Sequence, residues 1–377
     1  MRVTKIEVLR GKEPVKLAQP WKAAWNGPKA VPVTEFNFAC YRLHTDEGVT
    51  GIGPYTGATA PAELKGFDPF RVGEFWHGRM GGKRSGNSGK NAAGLEIALW
   101  DIIGKAAGRP VYKLLGACTD RLPVYAATSR LLAMETHGEL ALRLKEEGFR
   151  AVKVRLHRTD PADDLEVVRA VREAVGTTMD ILVDANQNNS SEGYPFWSRR
   201  TALKMAKALD DLGVYFLEEP LPRTDVEGLA EIAASVDMFI AGGEHTPTYF
   251  DFREHILKGA YDIIQPDVIL GGNYGITGLR KAGELADYFN RLIVPHVNSG
   301  SQFALGFAAT LQAVATLENC PLVEYPYDPP ILVPEATQAF VREPLLINKE
   351  GMVELPGRPG IGVELDERNL VAETLVE

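Results

Sequence analysis

A chain of 377 residues, 45% hydrophobic and 24% charged, is long enough for two domains or for one large barrel with a cap, and it lacks the bias of disordered or collagen-like chains. Its net charge of −9 leaves no surplus of cations for phosphates. That argues against nucleic acid or an acidic membrane as partner, but not against a small anionic substrate held by local cations. Cys40, Cys118 and Cys320 are far apart and form no CxxC, which excludes a disulfide framework or zinc cluster and suits a reducing cytosol.

The N-terminus "MRVTKIEVLR" alternates like a strand and lacks the apolar core of a signal peptide, and no run is long enough for a membrane span. A cytoplasmic protein is the expectation. Residues 1–120 carry alternating strands at 4–9 and 35–45, a Gly/Pro-rich stretch at 48–61, and an Ala/Leu-rich helix around 91–107. The stretches 11–32 and 48–61 read as long loops. "GGKRSGNSGK" (81–90) reads as a basic turn without P-loop spacing.

From about residue 121 a unit recurs: a β-branched apolar run, a polar residue at its end, then helical periodicity. The runs are 122–128, 151–156, 180–186, 214–220, 238–244, 262–268, 292–297 and 322–326. Eight strands with helical crossovers predict a parallel (β/α) barrel over 121–330, and the first strand lacks the glycine-rich phosphate loop of an open doubly wound sheet. Residues 1–120 then form an α+β cap, with 331–377 completing it.

In such a barrel the C-terminal strand ends form the active face. Asp184, Glu218 and Glu244 end the third, fourth and fifth strands. Each alone reads equally as a solvated loop acid. Together they bring three negative charges to one place, which calls for a cation, and all-oxygen ligation suits magnesium better than zinc. Glu219 points the other way along its strand and reads as support for the neighbouring ligands. Asp267 and His296 end the sixth and seventh strands and read as a general base or acid with its orienting carboxylate, although His296 alone would also serve as a hydrogen-bonded core histidine. Glu324, on the eighth, is a partner for a substrate carboxylate or a rim acid. In "AVKVRL" (151–156) the alternation sets Lys153 and Arg155 on one face, toward this centre, where they would hold a carboxylate and stabilise growing negative charge. Asn186, Gln187, His245, Asn298 and Ser299 fall at or just after strand ends and offer partners for substrate hydroxyls.

The runs "VDANQ", "FLEEPL", "AGGE", "AVKVR" and "IIQPDV...VPHV", with "LEIALWDIIGKAAGRPVYKLLG" (95–116), resemble the enolase superfamily, mandelate racemase subgroup, across essentially the whole chain. The resemblance implies a modified TIM barrel, (β/α)7β, under an α+β capping domain. It further implies Mg²⁺ on Asp184, Glu218 and Glu244, and chemistry that begins by removing the proton α to a carboxylate to give an enediolate. The Asp267–His296 dyad matches the family's base, Glu324 its acid near the eighth strand, and Asn186 a supporting polar position. Specificity would lie in cap loops carrying Trp21, Trp25 and Tyr55. The resemblance also implies a small-molecule carboxylate substrate and a homo-oligomer.

The racemase-like pattern is Lys-x-Lys, its second lysine a base, and here that position is Arg155. Guanidinium stays protonated, so two-base racemisation loses support, while β-elimination needs only one base. The expectation is dehydration of a sugar acid to a 2-keto-3-deoxy acid, with His296 as base. A racemase, epimerase or cycloisomerase using Lys153 is the alternative, and a non-catalytic metal- or sugar-acid-binding protein is another.

Overall fold

The structure, a computed structural model, describes residues 1–57, 62–79, 92–188, 196–271, 274–300 and 303–377. Positions 58–61 of one expected loop and the basic stretch 81–90 lie outside the described residues. In the cap, strands β1 (Val3–Gly11), β4 (Ala39–Thr45) and β5 (Thr50–Pro54) pair antiparallel, while β2 (Val15–Trp21) and β3 (Val33–Phe36) form a separate ribbon. The expected loop 11–32 therefore contains a strand, β2. So does the Gly/Pro stretch at 48–61, since β5 can use glycines as close-approach points. Helices α1 (Val72–Arg79), α2 (Ala93–Ala106) and α3 (Val111–Leu114) follow. A Cβ on Gly53 would come within 2.0 Å of the Gly94 carbonyl oxygen, so β5 and α2 pack backbone to backbone. Ile6, Val8, Tyr41, Leu43, Leu95 and Leu99 fill the space between sheet and helix.

The barrel strands are β6 (Arg121–Ala127), β7 (Ala151–Arg155), β8 (Asp180–Asp184), β9 (Phe216–Glu218), β10 (Phe239–Gly242), β11 (Ile263–Ile264), β12 (Leu292–Ile293) and β13 (Val323–Pro326). Between them lie α4 (Met134–Glu147), α5 (Pro161–Val175), α6 (Arg199–Asp211), α7 (Val226–Ala233), α8 (Tyr249–Lys258), α9 (Gly275–Tyr288) and α10 (Phe303–Val314), which gives (β/α)7β. The helices start where the sequence caps them. Asp160 accepts from Ala162 N ahead of Pro161, and Ser198 and Asp225 do the same for α6 and α7. In α5 the buried positions Asp164, Val167, Val168, Val171 and Val175 keep helical spacing, so one face meets the barrel.

The parallel ladder runs β12-β11-β10-β9-β8-β7-β6-β13. Tyr125, Ala151, Leu182, Phe216, Ala241, Ile263 and Val294 form a small interior cluster, as in a filled barrel. The remaining seam, β12 to β13, is bridged by Ile293 N donating to Asn319 O at 3.1 Å and Val297 N donating to the Glu324 carboxylate at 3.1 Å. β11 and β12 are shorter than the apolar runs because Pro266 and Pro295 have no N–H to continue a ladder. Asp267 and His296 consequently stand beyond the strands rather than at their last residues.

The chain ends with α11 (Pro334–Thr337), β14 (Met352–Glu354), which pairs antiparallel with β6, and β15 (Leu370–Val376), which pairs with β1. Two buried cap acids dock the layers. Glu96 accepts from Ile276 N at 2.9 Å and Thr277 N at 3.0 Å at the start of α9, and burial raises its pKa to about 7. Asp101 accepts from Ile52 N at 2.9 Å and Ile361 N at 2.8 Å, tying α2 to β5 and to the C-terminal segment. The β2–β3 ribbon is held over the barrel mouth by Trp21 Nε1 donating to Ser129 Oγ at 2.9 Å and Ala24 N to Ser129 O at 2.7 Å.

Candidate active site

Alternation along β7 puts Val152, Val154 and Leu156 in the layer shared with the helices and turns Ala151, Lys153 and Arg155 inward. Lys153 is wholly buried, its Nζ 2.9 Å from Glu218 Oε2 and 2.8 Å from Glu324 Oε1. Burial and Arg155 pull its pKa down, but Glu218, Glu324 and Asp184 outweigh them and hold it above the ordinary lysine range. Lys153 is therefore a locked cation. Arg155 Nε donates to Thr128 O at 2.9 Å, its Nη1 meets Asp184, its Nη2 lies 3.6 Å from Glu324, and its guanidinium centre is 4.8 Å from the Trp25 ring.

Asp184, Glu218 and Glu244 emerge from neighbouring strand ends, and each is turned to a basic side chain. Asp184 faces Arg155, Glu218 faces Lys153, and Glu244 lies 3.1 Å from His296 Nε2 and 2.9 Å from His245 Nε2. Accordingly, among the described residues no group of three or more His, Cys, Asp or Glu side chains stands already arranged around a metal position. The donor set still fits a hard divalent cation. Glu218 Oε1, both oxygens of Glu219 and Asn186 Oδ1 are buried without a partner. Burial and the charge of Glu218 push Asp184 up to about 7 against the pull of Arg155 and Lys153, so the local positive charge falls short. Glu219 and Asn186 both have positive φ, 46° and 48°, a strain that Asn tolerates better than Glu and that collects at functional sites.

His296 Nδ1 lies 2.7 Å from Asp267 Oδ2, and Asp267 Oδ1 accepts from Ile269 N at 2.6 Å and Leu270 N at 2.8 Å. The carboxylate is thus fixed by backbone donors before it orients the imidazole. Glu324 is buried and accepts from both Lys153 and Val297 N, which makes it an interior acid rather than a rim acid.

Part of this set borders a cavity of about 310 Å³. Arg155, Asn186, Glu244, His245, His296 and Glu324 are on its wall, as are Asn298 and Ser299. Trp21 and Trp25 line it from the cap side. Lys153, like Asp184 and Glu218, lies just behind the wall, held on Glu218 and Glu324. Two expectations are corrected. Tyr55 packs edge-on against Tyr41 in the cap sheet, 5.0 Å between centroids, beneath Arg10 and away from the cavity. Gln187 spends its side chain on Trp197 N and Ala185 O. Gln265, not foreseen, donates to Glu218 Oε2 at 2.9 Å; its place two residues before Asp267 in "IIQPDV" was the available signal. Leu332 reaches the cavity from the C-terminal segment, with no signal in the local pattern.

Residues 5–116 match the mandelate racemase / muconate lactonizing enzyme N-terminal domain, and residues 136–369 match the enolase C-terminal domain-like family. The chain is 30% identical over 354 residues to the 3,6-anhydro-alpha-L-galactonate cycloisomerase of Streptomyces coelicolor, covering 89% of this chain and 91% of that one. It is 30% identical over 360 residues to the L-talarate/galactarate dehydratase of Salmonella typhimurium, covering 89% and 82%. A racemase from Streptomyces coelicolor A3(2), solved with bound magnesium, shares the fold with a TM-score of 0.79 at 26% identity, over 98% of this chain and all of that one, 100%. No helix among the described residues is long and apolar enough to cross a membrane. With both halves matched, and relatives aligned over most of its length, the chain belongs to the mandelate racemase / muconate lactonizing enzyme family of the enolase superfamily.

Proposed function

We propose that this chain is a Mg²⁺-dependent dehydratase that converts a sugar acid to a 2-keto-3-deoxy acid. The observation that carries the reading is the inequality of its proton acceptors. His296 is oriented by Asp267 and reaches the cavity, whereas Arg155 is a guanidinium that stays protonated and Lys153 lies behind the cavity wall. One base suffices for elimination, and racemisation needs two.

Asp184, Glu218 and Glu244 would hold the ion, which when bound supplies Lewis-acid neutralisation of the charge that builds on the substrate carboxylate. His296 Nε2 takes the α-proton, with Asp267 keeping the other ring nitrogen protonated and the ring in place. The C–H electron pair forms the new double bond, the β C–O bond breaks, and the proton held on Nε2 passes to the departing hydroxyl, so that water leaves. The enol product then becomes the keto acid by taking a proton at carbon and losing the one on its enol oxygen. Arg155 stabilises negative charge or holds a hydroxyl, and Lys153 fixes Glu218 and Glu324 from behind. Asn186, His245, Asn298 and Ser299 are partners for substrate hydroxyls.

Incubating the enzyme with Mg²⁺ and a panel of sugar acids in D₂O tests the assignment. Keto-acid release that stops in EDTA is expected. Deuterium uptake without loss of water would replace the dehydratase by an epimerase or cycloisomerase, the activity named for one relative. Ligand-induced stabilisation without either reaction would leave a binding protein. We further read the enzyme as cytoplasmic, in keeping with three unpaired cysteines, and as a homo-oligomer in line with its family; light scattering tests the latter.

A further inference from the structure

The cavity wall is divided by origin. Among the described residues its polar groups come from the barrel, among them Arg155, Asn186, His245, Asn298 and Ser299, whereas those given by the cap ribbon and the C-terminal segment are Trp21, Trp25 and Leu332. These three belong to one apolar cluster with Ala23, Phe36 and Ile331. Trp21 meets Trp25 at 6.0 Å and Phe36 at 5.6 Å, both edge-on, and its indole N–H is already given to Ser129. The roof is therefore a rigid aromatic and aliphatic surface.

Among the described wall residues Arg155 is the one lysine or arginine, and it is engaged by Thr128 O, Asp184 and the Trp25 face. Glu244 and Glu324 add negative charge to the same wall. A substrate whose reacting carboxylate lies at the strand ends directs its far end to the roof. A second carboxylate there would lose its water against Trp21, Trp25 and Leu332 with no lysine or arginine among the described wall residues free to replace it. A neutral end, whether hydroxymethyl or part of a ring, would lay C–H surface on the aromatic faces and send its hydroxyls to the barrel side.

We propose that the site takes monocarboxylic sugar acids and rejects the matching diacids. The inference rests on the carboxylate-directed reading given above.

The test is a matched series with Mg²⁺: galactonate against galactarate and gluconate against glucarate, each as kcat/KM for keto-acid formation. The monoacid of the preferred configuration should exceed its diacid about a hundredfold, as a penalty of a few kcal/mol on one unpaired charge implies. A diacid equal to or better than its monoacid overturns the inference while leaving the dehydratase standing. Calorimetric binding of the same pairs to the His296→Asn protein with Mg²⁺ makes the two readings separable. Monoacid binding at least tenfold tighter, without keto-acid formation by the wild type, would keep the inference and remove the dehydratase; equal or inverted binding overturns the inference. Leu332→Lys, which offers the roof a cation, should narrow the monoacid preference at least tenfold. If that variant fails to fold, the wild-type series still decides.

Discussion

Adding Mg²⁺ to the metal-free protein should release about one proton per site at about pH 8, with His296 as the source. Its Nδ1 lies 2.7 Å from Asp267 and its Nε2 3.1 Å from Glu244, so both ring nitrogens face carboxylates and both must carry a proton to donate. Burial alone would lower its pKa, but Glu244, then Glu324 and Asp267, outweigh burial and raise it to about 10. The size is physically reasonable. A unit charge about 4 Å away at an effective dielectric constant of about 20 contributes about 4 kcal/mol, or about three pKa units. An ion that takes Glu244 withdraws this attraction and returns the imidazole toward its ordinary value of about 6.5, leaving Nε2 free to accept a proton. Proton and metal compete, so Mg²⁺ affinity should climb as pH rises, by up to about tenfold per unit between the two pKa values, and level off above the upper one. Calorimetric titration of Mg²⁺ in buffers of differing ionisation enthalpy reads the proton count. It should be near one for the wild type and near zero for His296→Asn. A wild-type count near zero, or an unchanged count in the variant, would refute the link between metal binding and the freeing of the base.

Three further outcomes are expected. His296→Asn should slow α-proton exchange in D₂O, followed by NMR, by about 10²–10⁴-fold, and exchange at the wild-type rate would move the base elsewhere. Arg155→Lys gives up the fork that spans Thr128 O and Asp184 and installs a group able to lose a proton. Dehydration should fall at least about tenfold while deuterium enters the substrate on both faces; single-face exchange in that variant counts against Arg155 as the residue that restricts the chemistry. Glu219→Leu removes a carboxyl whose two oxygens are buried without partners and whose pKa is pushed well above the ordinary range by burial, then by Glu244, Asp184 and Glu218. In EDTA the urea midpoint should rise, by about 1–3 kcal/mol in stability, and the added stabilisation by Mg²⁺ should shrink. A lower midpoint in EDTA would mean that this carboxyl supports the metal-free fold.

Much of the architecture was legible because it is written in short-range pattern. A period of two assigns Val152, Val154 and Leu156 to one side of β7 and Lys153 and Arg155 to the other, and cap residues such as Asp160 and Ser198 mark where helices begin. Acids recurring at the ends of successive strands likewise point to one mouth before any coordinate is known. The lengths of β11 and β12 were misjudged because apolarity continues past Pro266 and Pro295 while the ladder cannot.

Local pattern in the sequence thus pointed to the barrel, the cap, the facing of the two cations and the acids at strand ends, whereas the Asp267–His296 pair, 29 residues apart, was reached only through its two strand-end positions and the family resemblance. Tertiary structure alone decided which cation meets which acid. Lys153 finds Glu218 across 65 residues, and Glu324 closes the β12–β13 seam through its own carboxylate. It also withdrew Tyr55 from the cavity and brought in Leu332. Such pairings are set by how strands and loops far apart in sequence are wrapped round a common axis, a geometry that no local period encodes.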